Sequence, residues 1–268
     1  MITIGLVGCG NIGSQLAHAI QRSFRGTARL IGVMDVQPQQ AQRLARTLHP
    51  SVPVFSLKQL IRRCDFLIEA ASAQAVQEIL PLAIRHRRPT LILSTGGLMR
   101  NLKWIRKAAA RKVPLYLPSG ALVGLDGIKA AAIGRLRSVI LTTRKPARAL
   151  ATAPWVMQRK IRLKRLRRPR LLFRGSALQA AAGFPQNINV AATLALAGIG
   201  PARTQVRIIA DPRIRTNIHE VEAVGSFGRL LTRTENWASR RNPRTSQLAV
   251  QSAIATLRQI VQPLKVGT

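Results

Sequence analysis

Acidic residues are scarce in this chain. Nine Asp and Glu stand against 43 Lys and Arg in 268 residues, for a formal charge of +34. Ordinary domains are about a quarter charged with the signs near balance, so a shortage of acids adds to the surplus of bases. Cysteine is scarce too: Cys9 and Cys64 alone exclude a disulfide framework or a cysteine-rich zinc site, and no metal ligands are expected. No run of about 18 apolar residues is free of charge and proline, so no membrane span is expected. The opening MITIGLVGCG lacks the basic stretch of a signal peptide and runs straight into glycines, which points to the cytoplasm. What is plentiful is apolar side chain, at 47%. That fraction can offset the entropy of ordering, which excludes a disordered basic tail, and the length allows one or two domains.

The first half alternates short apolar runs with helical patterns. Strands are expected at 2–7, 30–34, 66–70, 90–93 and 114–117, with helices at 15–22, 39–48, 73–85 and 98–112 between them. Such alternation implies right-handed crossovers and a parallel sheet covered on both faces. After about residue 122 the rhythm changes. Strands at 138–143, 171–173, 205–209, 219–226 and 229–234 suit a mixed or antiparallel sheet, with helices at 177–182 and 190–197 and a closing helix at 246–260. The fold class is therefore α/β: an N-terminal Rossmann dinucleotide-binding domain (1–122 plus 242–268) and a second, mixed α/β (α+β) catalytic domain (123–241).

Gly8-Cys9-Gly10-Asn11-Ile12-Gly13 follows the first strand and opens a helix, the G-x-G-x-x-G pattern. Gly8 serves the tight turn, Gly10 the close approach of a pyrophosphate, and Gly13 the packing of helix on strand. The helix N-terminus adds unpaired N–H groups for the phosphates. Asp35 ends the second strand, where a carboxylate accepts from ribose hydroxyls and favours NAD, while Arg43 and Arg46 nearby keep NADP open. Residues 159–170 form a basic run that reads first as a solvated loop or edge strand, since no aromatic residue interleaves to stack on bases. Non-specific association with polyanions goes with this charge, and a non-catalytic dinucleotide- or nucleic-acid-binding protein is the alternative from another class.

Gly8–Gly13, Glu69-Ala70-Ala71-Ser72, Leu93-Ser94-Thr95-Gly96-Gly97 and Ser119-Gly120-Ala121 together resemble the L-aspartate dehydrogenase family. Further matching blocks follow in order: 141–145, 175–177, 184–191, Asn217-Ile218-His219-Glu220 and Asn242-Pro243-Arg244-Thr245-Ser246. The resemblance implies NAD(P)-dependent oxidation of L-aspartate to iminoaspartate, which hydrolyses to oxaloacetate and ammonia and can feed NAD biosynthesis. By the same resemblance His219 is catalytic, Ala121 and Asn189 touch the nicotinamide side, Ala71 and Ser72 serve the cofactor, and Asn217 serves the substrate. A homodimer is expected by analogy. Another two-domain NAD(P) oxidoreductase acting on an aspartate-derived substrate is the alternative within the class.

The residues themselves agree on the chemistry needed. Proton transfer near neutral pH calls for histidine. His18, His49 and His86 read as surface or helix-end residues, whereas His219 starts a predicted strand. A substrate with two carboxylates calls for cations or aligned donors. Arg144 and Lys145 come first, then Arg244, with Ser119 and Thr95 as hydroxyl or backbone donors.

Overall fold

The computed structural model describes residues 1–185, 188–239 and 242–267, and their side chains except at 100, 238, 239 and 242–245. It divides into two compact units, Met1–Pro118 with Val250–Val266, and a second built on Ser119–Ala249.

The first unit runs β1 (Ile2–Val7), α1 (Asn11–Ser23), β2 (Ala28–Met34), α2 (Pro38–Thr47), α3 (Leu57–Arg63), β3 (Phe66–Glu69), α4 (Ala75–Arg85), β4 (Thr90–Ile92), α5 (Gly96–Arg100), α6 (Lys103–Ala110) and β5 (Leu115–Tyr116). Its sheet has the order β2-β1-β3-β4-β5, all parallel. Beyond β2 the chain at 53–55 makes a single parallel bridge. Val33 N–H donates to the Pro53 carbonyl at 3.1 Å, and Phe55 N–H to the Val33 carbonyl at 3.0 Å. This remnant extends the sheet to the order of a dinucleotide-binding fold, whose strand order reverses beside β1.

Alternation along β1 assigns its two faces. Ile4 and Leu6 are fully buried beneath α1 and α2, while Gly5 and Val7 face α3 and α4. Each such leucine or isoleucine contributes roughly 1.5–3 kcal/mol by leaving water. At Gly5 a Cβ would lie 2.8 Å from Leu60 Cγ, so the glycine lets α3 settle on the strand. The helix expected at 98–112 is two helices, α5 and α6. Asn101 breaks it with an extended backbone (φ −156°, ψ 82°), and α3 was not anticipated.

The second unit runs α7 (Leu125–Ile133), β6 (Leu136–Pro146), α8 (Pro154–Gln158), β7 (Arg170–Ser176), α9 (Ala177–Gly183), α10 (Asn189–Ala197), β8 (Gln205–Asp211), β9 (Asn217–Gly225), β10 (Gly228–Asn236), β11 (Ala238–Ser239) and β12 (Asn242–Ser246). α11 (Gln247–Val261) follows, and its Ala253 and Leu257 join the core of the first unit. The five-stranded sheet β10-β9-β6-β8-β7 is mixed, with β6 and β8 parallel and the other pairs antiparallel. Its inner face is apolar along half of β6, at Val139 and Leu141, where α7 and α10 cover it. Gly198, just past α10, sits against Ile128 of α7 and Val139. Farther along the same face the residues become Thr143 and Lys145.

The outer face carries both signs of charge. Four ion pairs lie there: Arg144–Asp211, Arg229–Glu222, Arg233–Glu220 and Arg233–Glu235. The basic run begins after α8, is pinned by buried Leu163, and leads into β7 at the sheet edge. The Arg159 guanidinium stacks 3.3 Å over the Trp155 ring.

Candidate functional site

The glycine-rich turn joins β1 to α1. Gly8 has φ +96°, and a Cβ there would meet the Ala70 carbonyl at 2.5 Å. At Gly13 a Cβ would fall 1.9 Å from the Gly8 oxygen, so close helix–strand packing demands this glycine. Gly10 differs. It caps α1 with an extended backbone, and a Cβ on it would meet nothing within 4 Å. Nothing within the protein requires glycine there; space for a phosphate at the α1 N-terminus does. This open cradle fits a bound dinucleotide.

Asp35 ties the turn to β2. Its Oδ2 accepts from Cys9 N–H at 2.7 Å and its Oδ1 from Gln37 N–H at 2.9 Å. Each oxygen keeps a lone pair for a ribose hydroxyl. A pocket of about 260 Å³ opens beside it, lined by Gly8, Gly10, Asp35, Ala71, Ser72 and Glu78 among others. Two carboxylates and no cation line it; Arg43 and Arg46 are exposed on α2 outside it. Asn11 Oδ1 accepts from Gln15 Nε2, and Ile12 packs on the core. Burial, with Asp35 adding to it, pushes the Cys9 thiol up to about 12, so it stays protonated and inert.

Buried Glu69, at the end of β3, was not singled out as a functional residue. It accepts from Ala71 N–H at 2.8 Å and Ser94 N–H at 2.9 Å, which clamps two loops at the ligand edge of the sheet. Burial raises its carboxyl above the usual range. A Cβ at Gly97 would lie 2.7 Å from the Ala73 carbonyl, so the loop after β3 sits close against α5.

In the second unit β6 and β9 pair with Thr143 opposite His219. Thr143 Oγ1 lies 3.0 Å from His219 Nδ1, and both residues are buried. Lys145 is two residues along the same face and Asn217 two residues back from His219; both are buried. Burial pushes His219 down to about 3, with the Lys145 charge adding to the effect, and burial pushes Lys145 down to about 8. The imidazole is therefore uncharged at neutral pH, and the ammonium is easily discharged. On β10, Thr234 and Asn236 line the same side. Thr234 Oγ1 donates to the Ala121 carbonyl at 2.9 Å, Asn236 Nδ2 donates to it at 3.2 Å, and Ser246 Oγ donates to Asn236 Oδ1 at 3.0 Å.

The cluster thus brings together His219, Lys145, Asn217 and Ala121. It leaves out Arg144, which strand alternation turns to the outer face, where Nη1 reaches Asp211 Oδ2 at 3.2 Å. Of these two first candidates for a substrate carboxylate, Lys145 alone faces the cluster. Ser119 is half-buried in the turn before Ala121, and Asn189 opens α10 on an exposed turn. The side chain of Arg244 lies outside the described residues. Thr95 is buried in the first unit, where His18, His49 and His86 also lie on exposed or half-buried surface. Thr143, Thr234 and Asn236 were missed. The signal that could have found them is polar residues at the buried positions of a strand.

Two family models match the chain: "Aspartate dehydrogenase, C-terminal" over residues 126–260 and "Homoserine dehydrogenase, NAD binding domain" over 8–118. L-aspartate dehydrogenase of Methanosarcina mazei is 43% identical with all of both chains covered. L-aspartate dehydrogenase 3 of Bordetella bronchiseptica is 37% identical over 99% of this chain and 97% of its own. The crystal structure of aspartate dehydrogenase from Thermotoga maritima superposes with a TM-score of 0.75 at 25% identity, covering all of both chains. A myo-inositol dehydrogenase from Lactobacillus casei shares the fold at a TM-score of 0.62 and 11% identity, over all of this chain and 89% of its own.

Proposed function

The chain belongs to the aspartate dehydrogenase family, and on that premise we propose that it oxidises L-aspartate with NAD(P)⁺ to iminoaspartate, which hydrolyses to oxaloacetate and ammonia. The observation that carries this reading is the buried, uncharged His219 on one sheet face with the buried ammonium of Lys145. A base and a cation for an acidic substrate are the two groups the reaction asks of the protein.

The nicotinamide of bound NAD(P)⁺ supplies the hydride acceptor. Gly8, Gly10, Asn11, Ile12 and Gly13 cradle its phosphates, Asp35 receives a ribose, Ala71 and Ser72 line the adenosine pocket, and Ala121 and Asn189 serve the nicotinamide side. Lys145 holds a substrate carboxylate as a point charge, and Asn217 and Ser119 add donors. His219 Nε2 takes the proton that the substrate ammonium or the attacking water must lose. Entry of two carboxylates raises its basicity, because an opposite charge favours the imidazolium.

The protein works in the cytoplasm as a homodimer, joined through the charge-balanced outer face of the second sheet. No helix among the described residues is long and apolar enough to cross a membrane, and association of the basic surface with polyanions is non-specific. The test is NADH formation from L-aspartate beside His219→Gln. Loss of turnover with cofactor binding retained is expected. Turnover of other amino or hydroxy acids but not L-aspartate would overturn the substrate assignment.

A further inference from the structure

We infer that Thr143 is the positioning residue for His219, its hydroxyl holding Nδ1 so that Nε2 alone exchanges the reacting proton. This rests on the reading of His219 as the base. The two residues are register partners on the central strands β6 and β9, so the backbone ladder sets their approach. The 3.0 Å contact is buried, out of reach of bulk water that could replace it.

The hydroxyl has no packing role that valine would not fill. On one side its nearest neighbours along the same face are apolar and buried, Leu141 on β6 and Val221 on β9, while Lys145 and Asn217 follow on the other. A β-branched apolar residue would suit that surface and avoid burying a polar atom. The hydroxyl is explained by its imidazole partner. A carboxylate here would also orient the ring, but it would stabilise the imidazolium and slow return of the proton. A neutral hydroxyl orients the ring without that bias.

With the ring proton on Nδ1 and donated to Thr143 Oγ1, Nε2 keeps its lone pair. As water adds to the carbon of the protonated imine (C=NH2⁺), an O–H bond of the water breaks, an Nε2–H bond forms, and the nitrogen becomes a neutral amine. The proton then returns to the amine nitrogen as the C–N bond breaks. The hydroxyl proton on the same carbon goes with it, and ammonium leaves. Nδ1 keeps its hydrogen throughout, so the bond to Thr143 survives every step and the ring need not turn.

Thr143→Val is nearly isosteric, and Thr143→Ser restores the hydroxyl. Thr143→Val is expected to lower kcat about 10- to 100-fold, the range seen when the partner orienting a metal-bound histidine is lost, with KM for L-aspartate nearly unchanged; Thr143→Ser recovers most of it. Nitrogen-15 NMR of the imidazole, with the His219 signals identified by their absence in His219→Gln, is expected to show the proton on Nδ1 in the wild type and moved toward Nε2 in Thr143→Val. That readout needs no turnover. Wild-type kcat together with a wild-type tautomer in Thr143→Val would overturn the proposal. Wild-type turnover in His219→Gln would instead overturn the reading beneath it.

Discussion

Gly10 and Lys145 show how single residues separate folding from function. A Cβ at Gly10 would meet no protein atom within 4 Å, so Gly10→Ala is expected to leave the unfolding midpoint unchanged yet weaken NAD binding by about tenfold or more, because it enters the space of the pyrophosphate. Gly13→Val, driven into the Gly8 carbonyl, loses stability as well; calorimetry and cofactor titration on the pair distinguish the two roles. For Lys145 the sign is fixed by its lowered pKa of about 8. Below that pH the ammonium is charged and attracts a dicarboxylate; above it the charge is lost. Inhibition by succinate, whose own charge is constant there, should weaken by about tenfold per pH unit above pH 8 and lose that dependence in Lys145→Met. The glycine turn and Asp35 were legible as structure because a tight strand-to-helix turn leaves a local pattern. Thr143 was not, because its meaning comes from His219, 76 residues away and opposite it only once β6 and β9 pair. Arg144 parts from Lys145 for a local reason: adjacent strand residues face opposite ways.

Among the elements, α3 shows what a short helix hides. Its seven residues, Leu57–Arg63, are too few for a convincing periodicity. Ser56 and Gln59 nevertheless form a reciprocal capping box, as Ser176 and Gln179 do at the start of α9. The capping signal was present in the sequence, and the helix was overlooked for want of a longer apolar stripe. Docking of α3 on β1 depends on Gly5, where any Cβ would press on Leu60. Gly5→Val should therefore cost about 1–3 kcal/mol in urea unfolding, the usual range for overpacking a filled core; an unchanged midpoint would show that α3 yields freely. The parallel strands were easy to place, being continuous apolar runs between turns. The second sheet was placed only in outline. Its central strand β6 extends to Pro146, past the apolar Val139 and Leu141 into Thr143 and Lys145, and apolar pattern alone does not reveal a strand that ends in a polar cluster.

At the scale of the whole molecule, charge decides which surfaces can meet. Two copies at +34 repel each other, and about 10 Å of screening at 0.1 M salt only shortens that repulsion. On the outer face of the second sheet, however, Asp211, Glu220, Glu222 and Glu235, four of the nine acids, stand among Arg144, Arg174, Arg207, Arg229 and Arg233. Exposed Leu171 and Leu231 share that face. A second copy can approach here without facing a one-signed field and can bury apolar surface as it does. Association should then strengthen as salt rises from about 20 to 200 mM, because salt screens the net repulsion more than it weakens paired charges. Binding to a DNA duplex should weaken over the same range, since each phosphate contact releases counterions. Opposite salt responses would separate self-association from polyanion contact. Leu231→Lys combined with Val224→Lys, which removes apolar surface and tips the face toward positive charge, should yield a monomer by sedimentation. A dimer that survives both substitutions would place self-association elsewhere on the molecule.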